Sequence, residues 1–223
     1  MTICLHDAPA VERWCRENKL DPGYLRRLRT AVYKRGVAAE QAAEALPAPQ
    51  RAAWRTAIRA RALALAEELP SARDGAIKFV FRTAQGLLIE SVLMRIASGR
   101  RTLCLSSQVG CAAQCLFCAT GRMGLLRQLS AAEMVDQVAQ ANAHLAAREG
   151  PAARVRNLVF MGMGEPLHNE RQLCEALELL TRRDLFAYAP RRIAVSILRG
   201  HVLYTSVRPW TRDREANICR KKS

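Results

Sequence analysis

The chain has 223 residues, half of them hydrophobic and a quarter charged, which predicts a globular fold and excludes a largely disordered chain. Its formal net charge of +15 favours phosphate-rich partners such as RNA, DNA or an anionic membrane surface, or else a solvated arginine-rich surface. The N-terminal residues lack a secretory signal pattern and no apolar run reaches spanning length, which predicts a cytoplasmic protein without a membrane partner.

Residues 1–72 are predicted to form a small helical lobe, because apolar residues recur at helical spacing in two stretches separated by prolines. The second stripe runs through Trp54, Ile58 and Leu65. We therefore predict a helical accessory lobe that ends near residue 72, and its basic excess admits RNA binding.

Residues 73–98 are predicted to form a β-hairpin linker, with strands at 77–82 and 87–94 that alternate in polarity. In the second strand, Glu90 shares a face with the apolar residues two positions away on either side. A carboxylate in such a place should hold its proton more readily, as a general base near neutrality requires. The alternative is an exposed glutamate on an edge strand.

From residue 99 the pattern changes to strands that alternate with helices, which predicts an α/β fold with a parallel sheet over residues 99–198. Ser130 and Glu133 form a capping box at the start of one helix, and Asn169 can cap another. The predicted strands lie at 102–105, 157–161 and 192–196. Residues 199–223 are basic and aperiodic, which predicts a poorly ordered tail.

Four of the eight cysteines lie within fifteen residues, a clustering that indicates metal binding in a reducing compartment rather than disulfides. Cys111, Cys115 and Cys118 have the spacing CxxxCxxC, which suits three ligands of a [4Fe-4S] cluster whose fourth iron stays open to chelate S-adenosylmethionine. The alternative is a structural zinc site that adds Cys104 as a fourth ligand.

A glycine-rich turn, Gly162-Met-Gly164-Glu165-Pro, follows the second of these strands. Glycines allow the backbone to approach a ligand closely, and Glu165 offers a carboxylate acceptor. At the carboxyl end of a strand this turn suits the amino group of S-adenosylmethionine.

The cysteine segment, with Leu103-Cys-Leu-Ser-Ser-Gln-Val-Gly-Cys111, and Gly162-Met-Gly-Glu-Pro-Leu-His-Asn169 together resemble the RlmN/Cfr family of radical-SAM RNA methyltransferases. The resemblance covers about residues 20–196. It implies the first half of a partial (β/α) radical-SAM barrel behind the helical lobe and the hairpin. It also implies methylation of an adenine ring carbon, with carbon 2 favoured over carbon 8, in 23S rRNA and, for RlmN, in tRNA. The partners and cofactors implied are RNA, a [4Fe-4S] cluster, S-adenosyl-L-methionine and an electron donor such as flavodoxin or ferredoxin.

The resemblance also assigns roles to single residues. Cys111, Cys115 and Cys118 match the cluster ligands, and Glu90 matches the proposed proton acceptor. Cys104 matches the cysteine that releases the enzyme from its covalent intermediate by forming a disulfide with a methyl-carrying cysteine. The positions that match contacts to S-adenosylmethionine are Gly164, Glu165 and Ser196.

The chain departs from the family pattern after Ser196, where the expected continuation is missing. Cys219 is the only late cysteine, and its flanks do not fit the methyl carrier. This departure favours a truncated or frameshifted gene product. The alternatives are a radical-SAM protein that does not methylate RNA and a zinc-stabilised basic RNA-binding module.

Overall fold

A computed structural model describes residues 2–96 and 99–196. The predicted tail at 199–223, with Cys219, lies outside the described residues. The α-helices are α1 (Ala8–Glu17), α2 (Pro22–Arg29), α3 (Ala39–Ala43), α4 (Ala48–Ala57), α5 (Ala119–Arg122), α6 (Ala131–Glu149) and α7 (Glu170–Thr181). The strands are β1 (Ile3–Cys4), β2 (Ile58–Arg59), β3 (Ala64–Pro70), β4 (Ile77–Arg82), β5 (Leu88–Arg95), β6 (Arg101–Cys104), β7 (Gln108–Gly110), β8 (Leu125–Gln128), β9 (Asn157–Phe160) and β10 (Ile193–Val195).

Four helices occupy most of residues 8–57, as the apolar spacing predicted. Asp7 and Asp21 cap α1 and α2, because each side chain accepts a hydrogen bond from a backbone N–H group in the first turn. Trp14 of α1 and Trp54 of α4 are buried and meet edge to face, with ring centroids 5.5 Å apart. These contacts are part of one hydrophobic core that the lobe shares with the sheet and α6.

The helical prediction is wrong for Ala64–Pro70, which forms the edge strand β3. Its alanine, leucine and glutamate content favours a helix, so local propensity misled the prediction. The segment is extended because it pairs antiparallel with Ile77–Arg82, which supplies backbone hydrogen-bond partners along the strand apart from an irregularity between Leu65 and Glu67. Leu65, predicted on a helical stripe, is consequently 37% exposed.

A six-stranded mixed sheet, in the order β10-β9-β6-β5-β4-β3, forms the centre of the fold. The strands β6, β9 and β10 run parallel, whereas β3, β4, β5 and β6 pair antiparallel. The hairpin of β4 and β5 is confirmed, and its turn contains Gly86 at a φ of +82°. The α/β class predicted from sequence is therefore observed.

The two long helices α6 and α7 pack against each other and cover one face of this sheet. The capping box of α6 is present as predicted, with Ser130 and Glu133 hydrogen-bonded reciprocally. On the sheet side, Ser91 Oγ of β5 donates to Gln137 Oε1 of α6 at 2.6 Å. Within the described ranges, no helix combines the length and the apolar character that a membrane crossing requires.

Burial alternates along β5 and shows which face the helices cover. Ile89, Ser91 and Leu93 are buried on the helix side, whereas Glu90 is exposed on the opposite side. The predicted apolar surroundings of Glu90 are therefore wrong. Period-two alternation correctly grouped the residues into faces, but the apolar face that α6 covers is the other one.

Candidate functional site

The predicted cofactor residues lie at the carboxyl ends of the three parallel strands. Cys104 ends β6, the turn at 162–165 follows β9, and Ser196 follows β10. Because parallel strands end at a common edge, the loops that follow them are neighbours. Ser107 N donates to Met163 O and Gly162 N donates to Leu105 O, both at 2.9 Å, so the loops after β6 and β9 are hydrogen-bonded to each other.

The cysteine loop lies between β7 and α5. Cys111 is buried, and Cys115 and Cys118 are half-buried. The loop is closed by a backbone hydrogen bond of 3.0 Å from Cys118 N to Cys115 O. Gly121 of α5 lies against this turn, where a Cβ atom would come within 2.9 Å of Cys115 N. The loop is therefore a compact element that presents three thiols.

The three thiols do not converge on a shared point. Among residues 2–96 and 99–196, no three or more His, Cys, Asp or Glu side chains are arranged to hold a metal ion. This holds equally for the four-cysteine zinc alternative that includes Cys104. The donor set itself suits an iron-sulfur cluster, because three soft thiolate ligands lie on one short loop. The three cysteines therefore fit a [4Fe-4S] cluster by the chemistry of their thiolates.

The glycine-rich turn is packed so closely that side chains are excluded from it. A Cβ atom on Gly162 would lie 2.7 Å from Leu105 O. Gly164 has a φ of +98°, and a Cβ atom there would lie 2.5 Å from Gln108 Cβ. Both glycines are thus required by close approach to the loop that follows β6.

Gln108 holds this turn in place, a role that sequence reasoning missed. Its side chain is fully buried and its Oε1 accepts a hydrogen bond of 2.7 Å from Glu165 N. Its Nε2 donates to Gln128 Oε1 at 2.8 Å. The residue lies inside the Ser-Ser-Gln-Val-Gly segment that carried the family resemblance, but its partner is 57 residues away. Only the fold brings the two together.

Glu165 is itself largely buried, at 7% exposure. Its Oε1 accepts a hydrogen bond of 3.3 Å from Leu167 N and so caps the short helical turn Pro166–Asn169. The carboxylate is therefore fixed close to its own backbone. Its predicted contact with S-adenosylmethionine stays a prediction.

Glu90 and Cys104 share the sheet face that α6 and α7 leave open. Val92 is the register partner of Cys104, and Glu90 lies two residues from Val92 along β5. Such diagonal neighbours are commonly about 7–8 Å apart. Lys78 Nζ lies 3.0 Å from Glu90 Oε1, with the Glu90 side chain 49% exposed. The two predicted catalytic residues are thus near each other, in a solvated rather than an apolar setting.

Burial raises the pKa of the Cys104 thiol, although a hydrogen bond with the Met161 backbone acts in the opposite direction. A raised pKa favours the neutral thiol at neutral pH. Cys104 is thus a half-buried residue at the strand end whose thiol loses its proton less readily than an exposed one.

Several known proteins are similar to the chain. A probable RNA methyltransferase of Rhodopirellula baltica is 45% identical over 195 residues, which are 87% of this chain and 49% of that protein. A dual-specificity RNA methyltransferase RlmN of an Anaeromyxobacter species is 44% identical over 178 residues, or 78% of this chain and 46% of that protein. No family model matches the chain.

The fold is also similar to a solved structure. A crystal structure of a radical SAM methyltransferase from Sphaerobacter thermophilus matches with a TM-score of 0.78 at 35% identity, covering 87% of this chain and 57% of that one. The chain spans about half the length of the curated relatives it matches. These matches confirm that the chain is related to the RlmN/Cfr family of radical-SAM RNA methyltransferases, as its two motifs predicted.

Proposed function

We propose that the chain is part of a radical-SAM RNA methyltransferase that methylates an adenine ring carbon. Carbon 2 is favoured over carbon 8, and the substrates are 23S rRNA and tRNA. The observation that carries the proposal is that the loop after β6, which leads into the cysteine loop, is hydrogen-bonded to the glycine-rich turn at the carboxyl ends of the parallel strands. The identity of 45% to a probable RNA methyltransferase supports it.

Cys111, Cys115 and Cys118 would hold the [4Fe-4S] cluster, whose chemistry when bound is to deliver an electron for the cleavage of S-adenosylmethionine. The proposed roles of this chain's residues are to bind and orient the nucleoside. Gly164 would contact the nucleoside through its backbone, which close packing against Gln108 holds in place, and Glu165 would offer its carboxylate. Ser196, at the end of β10, would extend the same binding edge.

Glu90 and Cys104 are proposed to act on the open face of the sheet. Glu90 would accept the adenine ring proton, and Lys78 holds that carboxylate toward the open face at 3.0 Å. Cys104 would first lose its proton, a loss that burial disfavours by raising the pKa of the thiol, and its thiolate would then attack the sulfur of the methyl-carrying cysteine. The S–S bond would form as the C–S bond to the product breaks, and the product carbon would take that electron pair and a proton to become the methyl group.

The proposed architecture is the first half of a (β/α) barrel. Three parallel strands with α6 and α7 on one face support this proposal, since that is the repeating unit of such barrels. The accessory lobe at 1–72, the linker at 73–98 and the core at 99–198 remain the proposed division. Pairing of β3 with the hairpin couples the first two parts. An RNA substrate would place the protein in the cytoplasm.

Anaerobic reconstitution with iron and sulfide tests the cluster. We expect about four irons per chain with iron-sulfur absorbance, lost in Cys115→Ala. Cys174→Ala, a change at a half-buried cysteine of α7, is the matched control and should retain the iron. About one zinc per chain without iron-sulfur absorbance would refute the cluster and favour the zinc-stabilised module.

Product analysis tests the methyl transfer. The reconstituted chain is incubated with S-adenosylmethionine, reduced flavodoxin and 23S rRNA. Methylated adenine together with 5′-deoxyadenosine is the expected result if the chain supplies its own methyl-carrying cysteine, for which Cys219 is the only late candidate in the sequence. Formation of 5′-deoxyadenosine alone would instead assign a radical-SAM protein that does not methylate RNA.

A further inference from the structure

A cavity lined by arginines lies at the amino ends of the same parallel strands, away from the site described above. Its volume is about 530 Å³. Each of the three loops that lead into β6, β9 and β10 contributes at least one arginine to its wall. These residues, which we call the arginine cavity, are Arg100, Arg101, Arg154, Arg156 and Arg192.

The described wall of the arginine cavity carries positively charged side chains only, although Glu149 outside the wall pairs with Arg101. No aspartate or glutamate is found among the described residues that line it. Repulsion from the charge of Arg156, above all, lowers the pKa of Arg192 from its ordinary value. The Nε atom of Arg101 is buried and has no hydrogen-bond acceptor in the described part of the chain, although its Nη2 pairs with Glu149.

The cavity wall is held by specific contacts. Arg156 N donates to Arg101 O at 2.8 Å, which joins the loops before β6 and β9. The Arg154 guanidinium stacks on the Tyr188 ring at 4.7 Å and donates to Phe186 O at 2.9 Å, which joins the loop before β10. The loops that carry the arginines are therefore joined into a connected frame, on which the side chains of Arg100 and Arg156 are exposed.

We propose that the arginine cavity binds the phosphodiester backbone of RNA. Guanidinium groups present forks of N–H donors that match phosphate oxygens, and several of them around one concavity suit a polyanion. A membrane surface is less suited, because the wall offers alanines rather than large apolar side chains that insert into lipid. The choice of RNA rests on the proposed function. Backbone contacts of this kind position a nucleic acid without reading its sequence.

Binding of a fluorescein-labelled RNA stem-loop to the full chain, purified anaerobically, tests this inference. The test variant is Arg156→Gln with Arg192→Gln. The control variant is Arg73→Gln with Arg183→Gln, which removes the same charge at exposed positions outside the cavity. Anisotropy is followed between about 50 and 200 mM salt.

We expect the test variant to bind RNA at least tenfold more weakly at low salt. The slope of log Kd against log salt should fall by about 1.4–1.8, since each lost phosphate contact contributes about 0.7–0.9. The control variant should change affinity less than about twofold. The melting temperature of the test variant should equal or exceed that of the unmodified chain, because the substitutions relieve repulsion between like charges.

Equal RNA affinity of the two double variants would overturn the inference, as would failure of the unmodified chain to bind. If the test variant loses binding to anionic phosphatidylserine vesicles but binds RNA as the unmodified chain does, the cavity would be assigned to membranes instead. Iron content is measured on the same preparations. If iron is missing but the test variant still binds RNA more weakly than the control variant, only the proposed cluster is refuted. If iron is present and the two variants bind RNA equally, only this inference is refuted.

Discussion

Replacement of Gln108 by alanine should loosen the turn that carries Glu165. Gln108 Oε1 is the acceptor for the Glu165 N–H at 2.7 Å, and both residues are buried. Removing the acceptor leaves a buried donor unpaired, which costs about 1–3 kcal/mol. The lost hydrogen bond to Gln128 adds about 0.5–1.5 kcal/mol. We therefore expect the free energy of unfolding to fall by about 1.5–4.5 kcal/mol.

Hydrogen exchange at the Glu165 amide measures the local part of this effect. A loss of about 1–3 kcal/mol in the opening free energy corresponds to exchange that is roughly 5- to 150-fold faster. Gln140→Ala is the matched control. Its side chain donates to Leu63 O at 2.9 Å and to Asp136 Oδ2 at 3.0 Å, remote in sequence from the turn. That variant should lower global stability and leave local opening at Glu165 unchanged.

Two results would refute the reasoning about Gln108. Unchanged exchange at the Glu165 amide in Gln108→Ala would show that the hydrogen bond does not hold the turn. Equal acceleration at Glu165 in Gln108→Ala and Gln140→Ala would show that only global stability matters. Retention of the turn by Gln108→Glu, whose carboxylate can still accept from Glu165 N, would support the assigned geometry.

Three further predictions concern single residues. Gly164→Ala should lower the free energy of unfolding, measured in urea, by about 2–4 kcal/mol, because the new Cβ atom would sit at a positive φ and clash with Gln108. Gly86→Ala, at a positive φ but in open space, should lower it by only about 1–2 kcal/mol. Equal losses in the two variants would contradict this. Burial alone would raise the pKa of Glu133, but the Arg127 guanidinium, which donates to both oxygens of this carboxylate, lowers the pKa overall. The ionised Glu133 therefore stabilises the fold above about pH 4.3, and this stabilisation is lost as the pH falls through the lowered pKa. Acid titration of Glu133→Gln should lack this part of the pH dependence, and an unchanged titration would refute the assignment. Glu90→Gln should change the free energy of unfolding by less than about 1 kcal/mol, because its ion pair is half exposed, and a larger thermal shift would contradict the solvated setting.

Local sequence signals predicted those parts of the fold that local chemistry determines. The capping box of α6 depends on Ser130 and Glu133 alone, and the β4–β5 hairpin depends on alternation and a glycine turn. The strand β3 could not be predicted in this way, since its residues favour a helix and only the partner at Ile77–Arg82 makes them extended. Non-local pairing outweighed intrinsic propensity there.

The candidate site shows the same division. The three cysteines and the glycine turn could be singled out because their spacing lies within short segments, and their ligand roles stay predictions. The function of Gln108 could not be predicted, because its partner Glu165 lies 57 residues later. The surroundings of Glu90 were predicted wrongly, since alternation groups residues into faces without indicating which face α6 covers.

The polarity of the parallel strands explains how two proposed sites can serve one RNA. Arginines precede β6, β9 and β10, and the cofactor residues follow β6, β9 and β10. Strands of three or four residues, such as Arg101–Cys104, separate the two edges by about 10–13 Å at roughly 3.3 Å per residue. The helices α6 and α7 occupy one face, so an RNA bound at the arginine cavity can reach the carboxyl edge across the face that bears Glu90 and Cys104. Substitutions in the arginine cavity should therefore weaken RNA binding and leave the cysteine loop intact.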